Sequence, residues 1–406
     1  MLGIYLHIPF CSAICNYCNF NRGLYDAPLK ERYVEALVRE IATATSESPI
    51  TSKSTIPSRS VIPRQSAIPN QSAIRNPQSA IERADTIYFG GGTPSLLEPD
   101  EIGRIVAACR NAFEISVNAE ITMEANPETV TPARLSAFRA AGINRLSFGV
   151  QSFRNEELLR LSRIHDADRA RNAVREARAA GFDNVSIDLM MWLPEQRLDE
   201  WLVSVDAAIA LEPDHLSLYL LEVYPNAPLK DDMARARWSQ APDEDAEAMY
   251  LSAMERLEAA GLLQYEISNV AKPGRESRHN LKYWTDGEWV GFGCGAHSTR
   301  SGVRWKNLSS TEEYVAAVIE GRSPAVDVRC LTADERLGDA LFTGLRLTKG
   351  IDIEVTGRRY QVDIWQRFGA ELERFIDGGW LVRDTGRLRL TRPGMLLAHE
   401  VMAVFV

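Results

Sequence analysis

Cys11-Ser-Ala-Ile-Cys15-Asn-Tyr-Cys18 puts three thiols within eight residues, whereas Cys109, Cys294 and Cys330 are dispersed. In a reducing compartment all six stay thiols, and such clustering favours a metal site over a disulfide framework. Three soft thiolates with no fourth cysteine nearby suit an iron-sulfur cubane that leaves one iron open. A structural zinc site is the alternative; it needs a closed set of four ligands, and only His7 is close enough in sequence to be the fourth. About 70 residues further on, Tyr88-Phe-Gly-Gly-Gly-Thr-Pro94 carries a glycine run. A glycine triplet is usually a turn, but directly after a strand it lets backbone groups approach a ligand where a Cβ would intrude.

Alternating strands and helices must position these groups. Gly3 to Ile8 alternates Ile4, Leu6 and Ile8 with Tyr5 and His7, the period-two mark of a strand, and the cysteine loop follows directly. Further strands are predicted at Thr86–Phe89, Glu120–Ala125, Arg145–Val150, Val185–Leu189 and His215–Leu221, with helices over Pro28–Thr43, Glu98–Phe113, Thr131–Ala141, Asp166–Ala180 and Leu198–Leu211. The repetition predicts an α/β fold with a parallel sheet and helices outside it, either an open doubly wound sheet or a barrel-like one. In both, ligands meet the C-terminal ends of the strands, where the cysteines, the glycines, Glu124, Gln151 and Asp188 fall.

The 406 residues predict two or three domains, with 45% apolar and 25% charged residues, as folded chains have. A net charge of −9 gives no global attraction for phosphate backbones or anionic membranes. No stretch is long enough for a bilayer span, and Met1-Leu-Gly-Ile4 lacks the basic start of a signal peptide, so a cytoplasmic location is expected. The β/α domain is expected over 1–240, interrupted at 45–81 by nine Ser and five Pro, with Ile50, Ile56, Ile62, Ile68 and Ile74 six apart. Prolines in these turns would leave ladder donors missing from a β-helix, so a disordered spacer is expected. A connecting segment (241–311) leads to a C-terminal module (312–406), where a helix at Ile364–Asp377 and a hairpin around Gly386 suggest a winged helix. Its Arg383, Arg387, Arg389 and Arg392 are expected to form a solvated face rather than a nucleic-acid surface.

Tyr5-Leu-His-Ile-Pro-Phe-Cys11, the C-x3-C-x2-C spacing and Asn19-Phe20 resemble the radical S-adenosylmethionine (SAM) superfamily, and its coproporphyrinogen III dehydrogenase-like branch in particular. The resemblance runs through Gly149-Val-Gln-Ser-Phe153, Tyr265-Glu-Ile-Ser-Asn269 and Gly291-Phe-Gly-Cys-Gly-Ala-His297, covering nearly the whole chain outside the spacer. It implies a partial (β/α)6 barrel and a 4Fe-4S cluster on Cys11, Cys15 and Cys18, whose open iron is chelated by SAM and whose electron cleaves it to a 5′-deoxyadenosyl radical. It also implies that Glu124, Gln151, Arg163 and Asp188 hold SAM, with Tyr5, Tyr17, Gly91, Gly92 and Thr93 contributing. The dehydrogenases carry a fourth cysteine and an N-terminal extension; here Phe20 stands at the cysteine's position and the first strand starts at Gly3.

That pattern resembles the HemW-type heme chaperones, as does His279-Asn-Leu-Lys-Tyr-Trp284. The likeness implies heme binding with His279 as an axial ligand, transfer to an acceptor protein, and an electron donor; without it, a loop histidine beside a core tryptophan is the simpler reading. His297, His215 and Cys294 are weaker candidates. The alternative activity is oxidative decarboxylation of coproporphyrinogen III. One departure stands out. Relatives usually have D-L-x-x-G-L-P-G-Q, where Asp188-Leu-Met-Met-Trp-Leu-Pro-Glu-Gln196 puts Trp192 and Glu195 in place of glycines, and Trp192 is expected either to narrow the pocket or to offer a stacking face.

Overall fold

A computed structural model describes residues 1–44, 81–225, 227–239 and 243–406; the expected spacer at 45–81 lies, but for Ile81, outside the described residues. Strand β1 (Leu2–Ile8) leads into a short parallel pair, β2 (Phe10–Cys11) with β3 (Gly23–Leu24), that brackets the cysteine loop. Helix α1 (Ala27–Thr43) follows, capped by the Asp26 carboxylate accepting from the Leu29 N–H at 2.8 Å. The repeating units are then β4 (Arg83–Gly91), α2 (Pro99–Ala112), β5 (Glu114–Ala125), α3 (Pro132–Ala140), β6 (Arg145–Gln151), α4 (Asn155–Arg160), α5 (Ala167–Ala179), β7 (Val185–Met191), α6 (Leu198–Ile209) and β8 (His215–Leu220).

Strand order decides between the two architectures. The six strands lie β1-β4-β5-β6-β7-β8, each parallel to its predecessor, with no reversal of winding. A doubly wound sheet reverses direction at a switch point; steady right-handed crossovers keep every helix on one face and curl the sheet into part of a barrel. The two faces differ chemically. Ile4, Leu6, Ile87, Phe89, Ile121, Met123, Leu146, Phe148, Ile187, Leu189, Leu216 and Leu218 pack in the core beneath the helices. The alternate positions, Tyr5, Thr86, Tyr88, Thr122, Glu124, Arg145, Ser147, Ser186, Asp188, His215 and Ser217, face the concave side.

The sheet continues past the predicted alternation. Helices α7 (Pro228–Ala236) and α8 (Asp243–Ala259) lead to β9 (Leu263–Glu266) and β10 (Asn269–Ala271), which extend the β8 edge antiparallel. The HNLKYW segment is helix α9 (Arg278–Trp284), not a loop. The glycine-bearing stretch beyond it forms β11 (Trp289–Phe292), parallel to β1, then antiparallel β12 (His297–Arg300), β13 (Val303–Asn307) and β14 (Ala325–Cys330), giving a twelve-stranded sheet. In the C-terminal module, helices at Ile353–Tyr360 and Ile364–Asp377 precede a hairpin (Leu381–Asp384, Arg387–Leu390) joined by Ile351–Asp352, the arrangement of a winged helix. Its arginines have partners within the chain: Arg383 lies over the Trp365 ring, Arg387 reaches the Lys349 carbonyl, Arg389 pairs with Asp384 and Arg392 with Glu258.

Candidate functional site

The cysteine loop is fixed at both ends. The Gly23 N–H donates to the Pro9 carbonyl at 2.7 Å and the Tyr25 N–H to the Cys11 carbonyl at 2.9 Å. Asn16 is buried, and its amide donates to the Arg160 carbonyl and to Asp232, both at 2.8 Å. The Asn21 amide reaches the carbonyls of Cys294 (3.2 Å) and Ser309 (3.0 Å). His7, the one conceivable fourth zinc ligand, is occupied: Nε2 contacts the Asn21 carbonyl at 2.7 Å and Nδ1 the Tyr5 hydroxyl at 3.2 Å. Nor do three His, Cys, Asp or Glu side chains among the described residues converge on a single ion. Thiolates that each take a different iron of one cluster need no such convergence, so the donor set fits a cubane better than zinc.

The three cysteines line a cavity of about 440 Å³ at the C-terminal ends of the strands. Tyr17, Gly91, Gly92, Thr93, Glu124, Gln151, Arg163 and Asp188 line it too, so eleven of the thirteen sequence-predicted site residues meet there. The Arg163 guanidinium donates to the Cys15 sulfur at 3.2 Å and to the Asn126 and Gly149 oxygens, both at 2.8 Å. The Thr93 hydroxyl lies 3.7 Å from the Cys11 sulfur. Burial pushes the Cys11 and Cys18 thiols up, opposed by the Arg22 guanidinium among other groups.

Two carboxylates line the same cavity. Glu124 accepts from the Tyr88 hydroxyl at 2.8 Å and the Gly91 N–H at 3.2 Å, and burial pushes it up to about 7. Asp188 accepts from Ser147 at 3.1 Å, and burial pushes it up to about 6. Gln151 holds φ at 70°, a left-handed conformation costly for a residue with a Cβ, and its buried Oε1 has no partner. Strain and an orphaned acceptor on one cavity-lining side chain mark a position built for a ligand. A cavity lined by three thiols, two carboxylates, an arginine and an unsatisfied amide suits a small zwitterion carrying hydroxyls, as SAM is.

Two predicted residues lie elsewhere. Tyr5 is beneath the cavity, its ring stacked on Tyr88 (6.2 Å) and His279 (6.4 Å) and its hydroxyl on His7. His279 is 1% exposed; α9, capped by Ser277, turns it inward, where Nδ1 meets Thr86 at 2.8 Å and Nε2 meets Tyr283 at 2.9 Å. Burial pushes it down to about 3. The expectation of a free axial imidazole at 279 therefore meets a ring whose nitrogens are both engaged. Trp192 also departs from expectation, packing against the core and not lining the cavity. It and Glu195 hold φ at 62° and 59°, which explains the glycines expected at both positions. Glu195 is braced, its carboxylate accepting from the Ser239 N–H at 2.7 Å and hydroxyl at 2.9 Å.

Sequence reading missed Asn16, Asn21, Arg22, Asn126, Tyr88, Ser147 and Tyr219. For Tyr88 and Ser147 a signal existed: a strand of an all-parallel sheet covered on both faces reads apolar throughout, so polar residues at every second position mark a face open to a ligand. Residues 62–208 match the Radical SAM superfamily and 331–397 the HemN C-terminal domain. The chain is 37% identical to the heme chaperone HemW of Escherichia coli over 412 residues, covering 100% of this chain and 98% of that one. It is 31% identical to HemW of Bacillus subtilis over 407 residues (100% and 99%). The chain belongs to the HemW family of radical SAM proteins. Radical S-adenosyl methionine domain-containing protein 1, mitochondrial, of Mus musculus is 32% identical, over 98% of this chain and 86% of that one. In fold, it resembles the coproporphyrinogen III oxidase HemN of Escherichia coli, with TM-score 0.81 and 22% identity over 100% of this chain and 89% of that one. Membership of this family implies a 4Fe-4S cluster and SAM. No helix among the described residues is long and apolar enough to cross a membrane.

Proposed function

We propose that this chain is a radical SAM heme chaperone that takes up heme and passes it to an acceptor protein in the cytoplasm. The observation that carries the reading is similarity to HemW heme chaperones over the full chain, at 31% and 37% identity. Phe20 agrees with it: at the position of the dehydrogenases' fourth cysteine, it stands 65% exposed on the rim of the cavity.

Cys11, Cys15 and Cys18 would hold the cluster, and Arg163 would shield the charge on the Cys15 thiolate. Glu124 and Asp188 would accept from the SAM ammonium and ribose hydroxyls, Gln151 would turn its unsatisfied amide to the same ligand, and Gly91, Gly92 and Thr93 would let it approach the backbone. Tyr17 would close the side of the cavity, where it packs with the Leu161 cluster, and Tyr5 would support the floor through His7. Bound together, cluster and SAM supply one-electron cleavage chemistry, for which an electron donor is required.

The test is anaerobic incubation with coproporphyrinogen III, SAM and a reductant, beside a hemin titration and transfer to an apo-heme protein. Hemin binding and transfer without decarboxylation are expected. Decarboxylation by a chain that binds no hemin would replace the chaperone reading with the dehydrogenase one.

A further inference from the structure

Two of the three cavity sulfurs have a side-chain donor beside them, and the two donors are tied to each other. The Arg163 guanidinium donates through one nitrogen to the Cys15 sulfur at 3.2 Å and through another to Asn126 Oδ1 at 2.8 Å. At the other end of the same amide, Asn126 Nδ2 donates to the Thr93 hydroxyl at 3.2 Å, and that hydroxyl lies 3.7 Å from the Cys11 sulfur. One unbroken hydrogen-bond chain therefore runs from Cys11 through Thr93, Asn126 and Arg163 to Cys15. All five residues line the cavity.

Chemistry fixes the direction of this chain. A guanidinium has donors and no acceptor, so the Asn126 amide must turn its oxygen to Arg163 and its NH2 to Thr93. The Thr93 oxygen then accepts, which leaves its own hydrogen for the Cys11 sulfur; among the described residues the hydroxyl has no third partner. Nor is it used locally. Thr93 stands at the N-cap of the short turn Pro94–Leu96, where a threonine hydroxyl ordinarily caps, and here it does not. Asn126 itself is held by its backbone at the end of β5: its N–H donates to Ser95 Oγ at 3.3 Å and its carbonyl accepts from the Thr129 hydroxyl at 2.8 Å. Both ends of the chain thus donate to sulfur, and the amide between them decides that they do.

Reducing a cluster adds negative charge that its sulfurs share, and donors aimed at sulfur favour the reduced form. We propose that Asn126 is a positioning residue for the cluster: by fixing the direction of the chain it keeps the Thr93 hydrogen on Cys11 and the Arg163 guanidinium on Cys15, and so raises the potential at which the cluster accepts its electron. One electron enters from the donor, and no bond forms or breaks. The inference rests on the radical SAM reading of Cys11, Cys15 and Cys18 and is independent of how heme is held.

The test is a mediated redox titration of the reconstituted full chain with dithionite, without SAM, following the EPR signal of the reduced cluster, with iron content and apo-chain melts measured beside it. Thr93→Val keeps the side chain's shape and removes the hydroxyl; it should make the cluster about tenfold harder to reduce, a shift of about 59 mV to more negative potential for a one-electron couple, with iron and melt unchanged. Asn126→Asp keeps the oxygen facing Arg163 but turns the NH2 into an acceptor, so the Thr93 hydrogen swings to it and away from sulfur; the shift should be at least as large and in the same direction. The double variant Asn126→Asp/Thr93→Val should then lie no lower than Asn126→Asp alone, because the hydroxyl no longer serves Cys11. Additive shifts would overturn the proposal, since Thr93 would then reach the sulfur whatever stands at position 126. A parent-like potential in Thr93→Val would overturn it too, even where Asn126→Asp fails to load a cluster, and so would a lowered melt in Asn126→Asp with the potential unchanged. A parent chain that assembles no 4Fe-4S cluster would overturn the cluster reading itself.

Discussion

Gly92→Ala adds one carbon beside the cluster loop, and its cost follows from what that carbon meets. The new Cβ would lie 2.7 Å from the Phe10 carbonyl oxygen and 3.0 Å from the Cys11 sulfur. Even close C···O contacts need about 3.3 Å, so the overlap is roughly 0.6 Å. Neither neighbour yields easily: the Gly92 N–H is bound to the Ile8 carbonyl at 2.8 Å, and both ends of the β2–β3 pair are bonded at 2.7 and 2.9 Å. Overpacking of this size costs about 1–3 kcal/mol, and relief by shifting Phe10 and Cys11 moves a cluster ligand. Denaturant melts of the apo chain should show that loss, and anaerobic reconstitution should give less iron per chain. Gly103→Ala in α2, where a Cβ meets nothing within 4 Å, should instead stabilise by about 0.5–1 kcal/mol. Parent-like stability and full iron loading in Gly92→Ala would refute the idea that the glycine serves close approach.

Cys15→Ala should cut reconstituted iron sharply from about four per chain, since it removes one of three ligands; full iron, or stoichiometric zinc in the parent, would count against the cubane. Glu40, whose carboxylate accepts from Gly293 (2.8 Å), Asn307 (2.7 Å) and Tyr314 (2.6 Å), is pushed up to about 7 by burial. Its raised folded pKa means that stability falls as pH rises from the unfolded value near 4.5 through about 7, by at most about 3 kcal/mol, and stays low above that. Glu40→Gln should flatten that part of the profile in melts at pH 5 to 8.

The barrel was legible because β1 and the four helix-strand repeats that begin with α2 carry strong periodicity, and the site because its residues fall at strand ends. What stayed hidden had physical causes. Strand β5 begins at Glu114, six residues before its predicted start; Ile115, Val117 and Ala119 carry the period-two alternation of Ile121 and Met123 back to it, but through a first half that is largely open to solvent, where alternation does not mark a core-facing strand. The β11–β14 extension was hidden for another reason: Gly291, Gly293 and Gly295 look like loop punctuation, but Gly291 sits where chains cross closely and the other two take φ of 95° and 70°. A glycine reports that room or handedness is needed; it does not say whether a strand or a loop needs it. Asn16 and Asn21 act across more than 140 and 270 residues of chain, through contacts that no local pattern can show.

His279 marks the sharpest limit. A motif specifies residue types in order, and an imidazole between aromatics has the composition of a heme site. Whether its nitrogens are free depends on what α9 faces, and α9 faces the polar side of β4, where Thr86 takes one nitrogen while Tyr283, one turn along the same helix, takes the other. Thr86 carries the signal, since a hydroxyl at 0% exposure must find a partner inside the protein. From the sequence, Thr86 is only a β-former in an apolar strand. The chemistry of the motif and that of the strand each read correctly alone; only their meeting in the fold shows both nitrogens of the His279 ring engaged.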